Sequence, residues 1–186
     1  MRMIGITGKA GAGKDTIARW FGRTHNAFLD SFASAIKETL VGMFPGHLTQ
    51  KHFEDRELKE AVIPGIEASP RKLAQVLGTE FGRAINPDLW VWMLDQRRHR
   101  YWPGGFSGYY VVSDVRFENE AEYIRGNGGA IIHVERPGAT GAVGVSGHAS
   151  ERGIIAAQGD YLFENCGSIE DLEEKLLRAF PNRPIS

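Results

Sequence analysis

Residues 8 to 16 read Gly8-Lys9-Ala10-Gly11-Ala12-Gly13-Lys14-Asp15-Thr16, directly after a short apolar run, Met3-Ile4-Gly5-Ile6-Thr7. The spacing is that of a phosphate-binding loop, G-x-x-x-x-G-K. Its glycines let the backbone curl so that successive N–H groups point inward at an anion. Lys14 has the reach to meet the β- and γ-phosphates of a nucleotide. A helix starting at the loop's end aims its positive pole at the same charge. The phosphate site predicted here is Gly11, Ala12, Gly13, Lys14, Asp15 and Thr16. The loop normally has Ser or Thr after the lysine, with its hydroxyl on Mg²⁺. Here Asp15 takes that place and the hydroxyl comes one residue later, at Thr16. Either Asp15 ligates the metal, directly or through water, or Thr16 serves the phosphates instead.

Tyr109-Tyr110-Val111-Val112-Ser113-Asp114 is an apolar strand ending in a carboxylate. In phosphate-loop enzymes an Asp at such a strand end lies beside the loop and holds Mg²⁺ or its water. Asp114, Arg116 and Glu120 can converge at one strand-to-helix junction, although a first-turn acid such as Glu120 also complements a helix dipole. Arg71, Gln75 and Thr79 are spaced i, i+4, i+8 and share a helix face. Gln75 and Thr79 suit a base or sugar, and Arg71 and Arg83 suit a phosphate held in bidentate forks. The alternative is a solvated polar face opposite a buried stripe of Leu73, Val76, Leu77 and Phe81. Arg136 precedes a glycine-rich stretch and is placed either to neutralise charge on a transferring phosphate or as a surface arginine beside a hinge. His148 could bind a phosphate or orient Glu151. Arg97-Arg98-His99-Arg100 reads as a helix end complementing its carbonyl pole. The histidines and the single cysteine show no zinc-like spacing, and no G-x-S-x-G elbow occurs.

Elements must hold these groups in place. Strands are predicted over 2–7, 27–31, 109–113, 129–135 and 161–165, each short and apolar as in a sheet buried on both faces. Helices are predicted from the loop to about His25 and over about 32–44. Ser69-Pro70 is an N-cap followed by proline and opens a helix to about Gly82. Asn86-Pro87-Asp88 opens another, to about Arg100. Two more cover about 117–126 and, from Ser168, to about Phe180. This alternation implies an α/β fold with a largely parallel sheet and right-handed crossovers. Ligands then bind outside the carboxyl ends of the strands, where Gly8–Thr16, Asp30, Asp114–Arg116 and Arg136 fall. The stretches Pro103–Gly108 and Pro137–Gly147 read as mobile, the second as a lid of about 136–150.

The 186 residues suit one domain, 1–186, with a full hydrophobic core and an acceptor-binding helical insert of about 45–107. A formal net charge of −1 provides no global field for a nucleic-acid polymer. One cysteine, Cys166, allows no internal disulfide and suits a reducing cytoplasm. No apolar run approaches the ~20 residues that span a bilayer. The chain enters a strand at once, which leaves no room for a signal peptide.

In this order and spacing the motifs resemble the phage-type deoxynucleoside monophosphate kinases, of the P-loop nucleoside monophosphate kinase superfamily. The likeness runs over nearly the whole chain. It comprises the loop with Asp15 after the lysine, Phe32-Ala33 and Lys37, and Arg71-Lys72-Leu73-Ala74-Gln75-Val76-Leu77-Gly78-Thr79-Glu80 with Arg83 and Trp90. It continues through Asp114-Val115-Arg116-Phe117-Glu118-Asn119-Glu120, Arg136-Pro137, His148-Ala149-Ser150-Glu151 and Asn165-Cys166-Gly167-Ser168 with Leu172. The resemblance implies transfer of the ATP γ-phosphate to a deoxynucleoside 5′-monophosphate with Mg²⁺, in the host cytoplasm for a phage protein. It implies a five-stranded parallel sheet of order 2-3-1-4-5, flanked by helices, with a mobile lid, and often a homodimer. By the same resemblance Lys14 and the loop amides hold ATP, and Asp15, Thr16 and Asp114 supply metal contacts. Arg71, Gln75, Thr79, Arg83, Asp114, Arg116 and Glu120 form the acceptor pocket, and Arg136 is the lid arginine. Lys14, Arg116 and Arg136 are then the catalytic cations. No general base is needed when the acceptor is already an anionic phosphate. A dephospho-coenzyme A kinase, another small-metabolite kinase, or an ATP-binding switch protein without an acceptor would share the loop and sheet.

Overall fold

A computed structural model of the chain describes residues 2–101, 108–138 and 153–181. They fall into two compact units, one from Met1–Ser31 with Gly104–Ser186 and the other from Phe32–Pro103. The first unit carries one parallel sheet of five strands, β1 (Arg2–Thr7), β2 (Phe28–Asp30), β3 (Tyr109–Val112), β4 (Ala130–Glu135) and β5 (Tyr161–Glu164). Their order is β2-β3-β1-β4-β5, as the resemblance implies. β1 is central, with Met3 beside Tyr110 of β3 and Ile4 beside Ala130 of β4. Such a strand is covered on both faces, and Met3, Ile4 and Ile6 are wholly buried. Ile4 and Ile6 face Ile17, Trp20 and Phe21 of α1 (Lys14–His25) and Leu172 and Leu176 of α9 (Ile169–Ala179).

On the opposite face, α8 (Glu118–Gly126) packs so closely that a Cβ at Gly5 would come within 3 Å of Ile124, Ile131 and Val115. An ionic cluster pins this face. Arg125 bonds Glu118 at 3.0 Å and Asp160 at 2.6 Å. Asp160 also accepts from the Ile131 and Ala157 N–H groups, both at 2.9 Å, and lies 3.2 Å from His133 Nε2. Burial works to raise the Asp160 pKa. The Arg125 guanidinium and the other donors outweigh it and hold the carboxyl well below the ordinary carboxylate range.

The second unit is helical: α2 (Phe32–Met43), α3 (Lys51–Glu54), α4 (Arg56–Glu60), α5 (Pro70–Gln75), α6 (Gly82–Ile85) and α7 (Leu89–Tyr101). Ser69 Oγ caps α5 by accepting the Lys72 N–H, and Asn86 Oδ1 accepts from Asp88 ahead of α7. Both follow the sequence signals. The short helices α3 and α4 went unpredicted, although Asp55, whose Oδ1 accepts the N–H groups of Glu57 and Leu58, is a cap readable in the sequence.

Two expectations need correction. The helix opening at Ser69 is not regular α-helix to Gly82. Residues Val76–Phe81 form a π turn, in which the Gly82 N–H bonds the Leu77 carbonyl five residues back. The wider turn rotates Phe81 off the stripe that Leu73 and Leu77 begin, and Phe81 is 58% exposed instead of buried. Leu73, Ala74 and Leu77 do pack against Leu40, Leu48, Phe53 and Ile63. Gly78 and Gly82 occupy the tight positions. A Cβ at Gly78 would lie 2.8 Å from Ile36, and one at Gly82 would lie 2.4 Å from the Trp90 ring. Trp90 Nε1 donates to the Gly78 carbonyl at 2.6 Å. The second is Arg98, expected as a helix-end charge complementing the carbonyl pole. It does lie in the last turn of α7, but its side chain is only 16% exposed and is paired with Asp95 at 2.8 Å, while Arg97 pairs with Glu38 of α2. The segments expected to be mobile fall largely on 102–107 and 139–152, outside the described residues.

Gly82→Ala is expected to destabilise the chain by about 1–3 kcal/mol through overpacking against Trp90, read by urea denaturation with tryptophan fluorescence. Asp160→Asn is expected to cost about 1–3 kcal/mol near neutral pH. Because the folded-state pKa of Asp160 is depressed, its contribution is fully present above the ordinary carboxylate range, begins to fall there and is lost progressively as pH drops further toward the depressed value. The gap between wild type and Asp160→Asn should therefore shrink in acid. A gap that stays constant from pH 7 to pH 3 would contradict this.

Candidate functional site

The chain leaves the sheet where β1 ends, and it can do so only with glycine. Gly8 has φ 148°, and a Cβ there would stand 2.4 Å from the Val134 carbonyl oxygen. Gly13 closes the loop with φ 109°, and a Cβ on it would meet Asn165 Nδ2 at 2.5 Å. Between them the Ala12 N–H bonds the Lys9 carbonyl at 3.1 Å, and the Ala12 side chain is buried. α1 begins at Lys14, with the Ile17 N–H on the Gly13 carbonyl at 3.1 Å. The expected strand, loop and helix are thus realised, and the loop opens toward the helix N-terminus.

Lys14 Nζ donates to the carbonyls of Gly8 (2.7 Å) and Lys9 (2.9 Å), which folds the ammonium over its own loop. Two of its three donors are used, leaving one for a phosphate oxygen. Burial, with the nearby Arg116 guanidinium, lowers the Lys14 pKa, while Asp15 and Asp114 work to raise it. Asp15, Asp114 and Arg116 therefore lie within electrostatic reach of Lys14. Two cations near one another beside a glycine-rich loop at a helix N-terminus are suited to a multiply charged anion. Asp15 is exposed in the first turn of α1 and Thr16 is half-buried.

Glu120 is 3% exposed, and its Oε2 accepts the N–H groups of Arg116 (2.8 Å) and Phe117 (3.1 Å). It shapes the turn that carries Arg116, so the helix-start role anticipated as its alternative is present. Asp30, at the end of β2, accepts the Tyr110 hydroxyl at 2.6 Å, and its own carbonyl accepts the Ser113 N–H at 3.1 Å. Together these contacts tie the end of β3, and so Asp114, to the end of β2. Arg136 is exposed just past the end of β4.

In the helical unit, Arg71 is paired with Glu60 of α4, a partner that its helical spacing could not reveal. Arg83 donates to the Pro87 carbonyl at 3.1 Å, and Gln75 and Thr79 are half-buried. The π turn begins directly after Gln75, so Arg71 and Gln75 keep their one-turn spacing while Thr79 is rotated relative to them. His148 and Glu151 lie outside the described residues. The residue that sequence reasoning left without a role is Asn165. It is 7% exposed, its backbone N–H bonds the Glu135 carbonyl at 2.7 Å, and its side-chain amide bonds the Ala12 carbonyl at 2.8 Å. Its place at the end of β5 was the available signal.

The oxygen donors fit a hard divalent cation. Two carboxylates and a hydroxyl suit Mg²⁺, which keeps several waters and takes its remaining ligands from phosphate. Among the described residues no group of three or more His, Cys, Asp or Glu forms a protein-only metal cage.

The family model described as deoxynucleotide monophosphate kinase matches residues 51–176. A deoxynucleotide monophosphate kinase of Enterobacteria phage T4 is 27% identical, over 95% of this chain and 97% of that protein. One from Escherichia phage RB69 is 32% identical over 58% of this chain and 43% of the relative. Among solved structures, a Janibacter sugar kinase superposes with a TM-score of 0.51 at 14% identity, covering 96% of this chain and 93% of that one, a likeness of fold.

Proposed function

The chain belongs to the deoxynucleotide monophosphate kinase family, and from that premise we propose how its own residues divide the work. It transfers the γ-phosphate of ATP to a deoxynucleoside monophosphate, giving the diphosphate. The observation that carries the division of labour is that Lys14, folded over its own loop, lies within electrostatic reach of Arg116. Phosphoryl transfer asks little covalent chemistry of a protein, mainly positioning and charge neutralisation. The loop from Gly11 to Thr16 takes the ATP phosphates. Lys14 spends its remaining donor on the β/γ oxygens, and Arg116 neutralises charge as the phosphoryl group moves. Arg136, beside the end of β4, adds a further cation.

Asp15 and Asp114, with Thr16, would hold Mg²⁺ directly or through water, and the ion would supply charge to offset that of the phosphates. Glu120 fixes the Arg116 backbone, so its part in accepting substrate is exercised through that turn. On the helical unit, Arg71 is assigned to the acceptor phosphate and Gln75 to its base or sugar, with Thr79 and Arg83 alongside. Glu60 offsets the Arg71 charge until an anion arrives. The acceptor is itself anionic, so no general base is required.

Lys14→Ala is expected to lower kcat/KM by at least about 100-fold while leaving the fold intact by circular dichroism. Turnover near wild type would remove the loop from the mechanism. Arg71→Ala is expected to raise the acceptor KM about tenfold and leave the ATP KM within about twofold. Arg100→Ala, on an exposed helix end, serves as the control. These kinetics come from a coupled ADP-release assay over ribo- and deoxynucleoside monophosphates and dephospho-coenzyme A. Equal, small effects of both arginine changes would mean that the α5 face is merely solvated.

A further inference from the structure

We infer that Asn165 is a positioning residue for ATP, holding the Ala12–Gly13 peptide so that the Gly13 N–H is aimed into the phosphate cradle. This rests on the reading of the loop as the ATP site. Asn165 belongs to the far end of the sheet from the loop in sequence, yet its Nδ2 lies 2.8 Å from the Ala12 carbonyl. A carbonyl oxygen only accepts, so the NH₂ side of the amide must face it. The peptide between Ala12 and Gly13 is planar and trans, and no cis bond occurs among the described residues. In a trans peptide the C=O and N–H point in opposite directions. Fixing the Ala12 carbonyl against Asn165 therefore turns the Gly13 N–H to the other side of the loop, away from the core. There the Gly13 N–H meets no hydrogen-bond partner among the described residues.

Three further observations make this a built device. Asn165 is 93% buried, counted from its 7% exposure, so its orientation is set by packing. Its own backbone N–H is anchored on the Glu135 carbonyl at 2.7 Å, which references the loop to the ends of β4 and β5. The fit against Gly13 is close, since a Cβ there would stand 2.5 Å from Nδ2 and 3.9 Å from Leu172. Glycine at 13 and asparagine at 165 are thus a matched pair. One supplies the φ and the open space, and the other fills that space with a donor.

The test uses the full chain as wild type, Asn165→Ala and Asn165→Asp, with ATP and the acceptor varied in turn. Asn165→Asp keeps the shape and loses the donor, so at about pH 8 it should raise the ATP KM or lower kcat at least about tenfold. The acceptor KM should stay within about twofold. A protonated carboxyl can donate to the Ala12 carbonyl, so the Asn165→Asp defect should ease, relative to wild type, as pH is lowered toward about 5.5. The Asn165→Ala defect should not ease. Thermal melting adds a reading independent of turnover, in which ATP should raise the melting temperature of Asn165→Asp less than that of wild type. If Asn165→Ala fails to fold, the pH series on the isosteric aspartate decides alone. ATP kinetics of Asn165→Asp equal to wild type at pH 8 would overturn the assignment. So would equal rises in both KM values, or a defect indifferent to pH. A wild-type protein that phosphorylates no nucleoside monophosphate would sink the kinase reading itself, a separate outcome.

Discussion

The end of the first unit that we propose takes the ATP phosphates depends on one geometric constraint, the exit of β1 from the middle of the sheet. β1 has β3 on one side and β4 on the other, so its last residue cannot turn sideways into a neighbour. It must rise over the strand ends, and the Val134 carbonyl stands 2.4 Å from where a Cβ on Gly8 would be. Only a residue without a side chain passes there. The curl that follows delivers the backbone to the N-terminus of α1. That one crowded turn sets the loop at the positive pole of α1, where an anion is favoured.

Around this turn the strand ends are tied to one another by polar contacts rather than by apolar packing. Asp30 links β2 to Tyr110 and Ser113 of β3, Glu120 fixes the Arg116 turn, and Asn165 links β5 to the loop. Each contact is largely withdrawn from solvent, where a hydrogen bond to a charged or amide group is costly to leave unmade. The opposite end of the sheet is aromatic instead, with Phe21, Tyr109, Tyr161 and Phe180 packed against one another in tilted and edge-to-face pairs. Chemistry and cohesion are placed at different ends of the same strands.

The helical unit uses a different device. The π turn over Val76–Phe81 swings Phe81 outward and brings two glycines against Ile36 and Trp90. The indole N–H then takes the Gly78 carbonyl. The turn sits in the stretch assigned to the acceptor, and irregular helical turns of this kind recur at functional positions.

Much of this was legible in the residues. The five strands announced themselves as short apolar runs; in the inner strands β1, β3 and β4 that follows from cover on both faces, whereas the edge strands leave Leu29 and Leu162 exposed. The glycine spacing and Lys14 announced the loop, because a backbone anion site demands φ values that other residues resist. Ser69 and Asn86 announced their helices through local capping, which needs no distant partner. The sequence could not disclose contacts made across long separations. The pairing of Arg71 with Glu60, the burial of Arg98 against Asp95 and the π turn behind Phe81 each depend on which helix lies alongside. Asn165 and Ala12 are 153 residues apart along the chain. Local propensity and periodicity carry no information about such a meeting. It was decided by the order of the strands, which brings the end of β5 beside the loop that leaves β1.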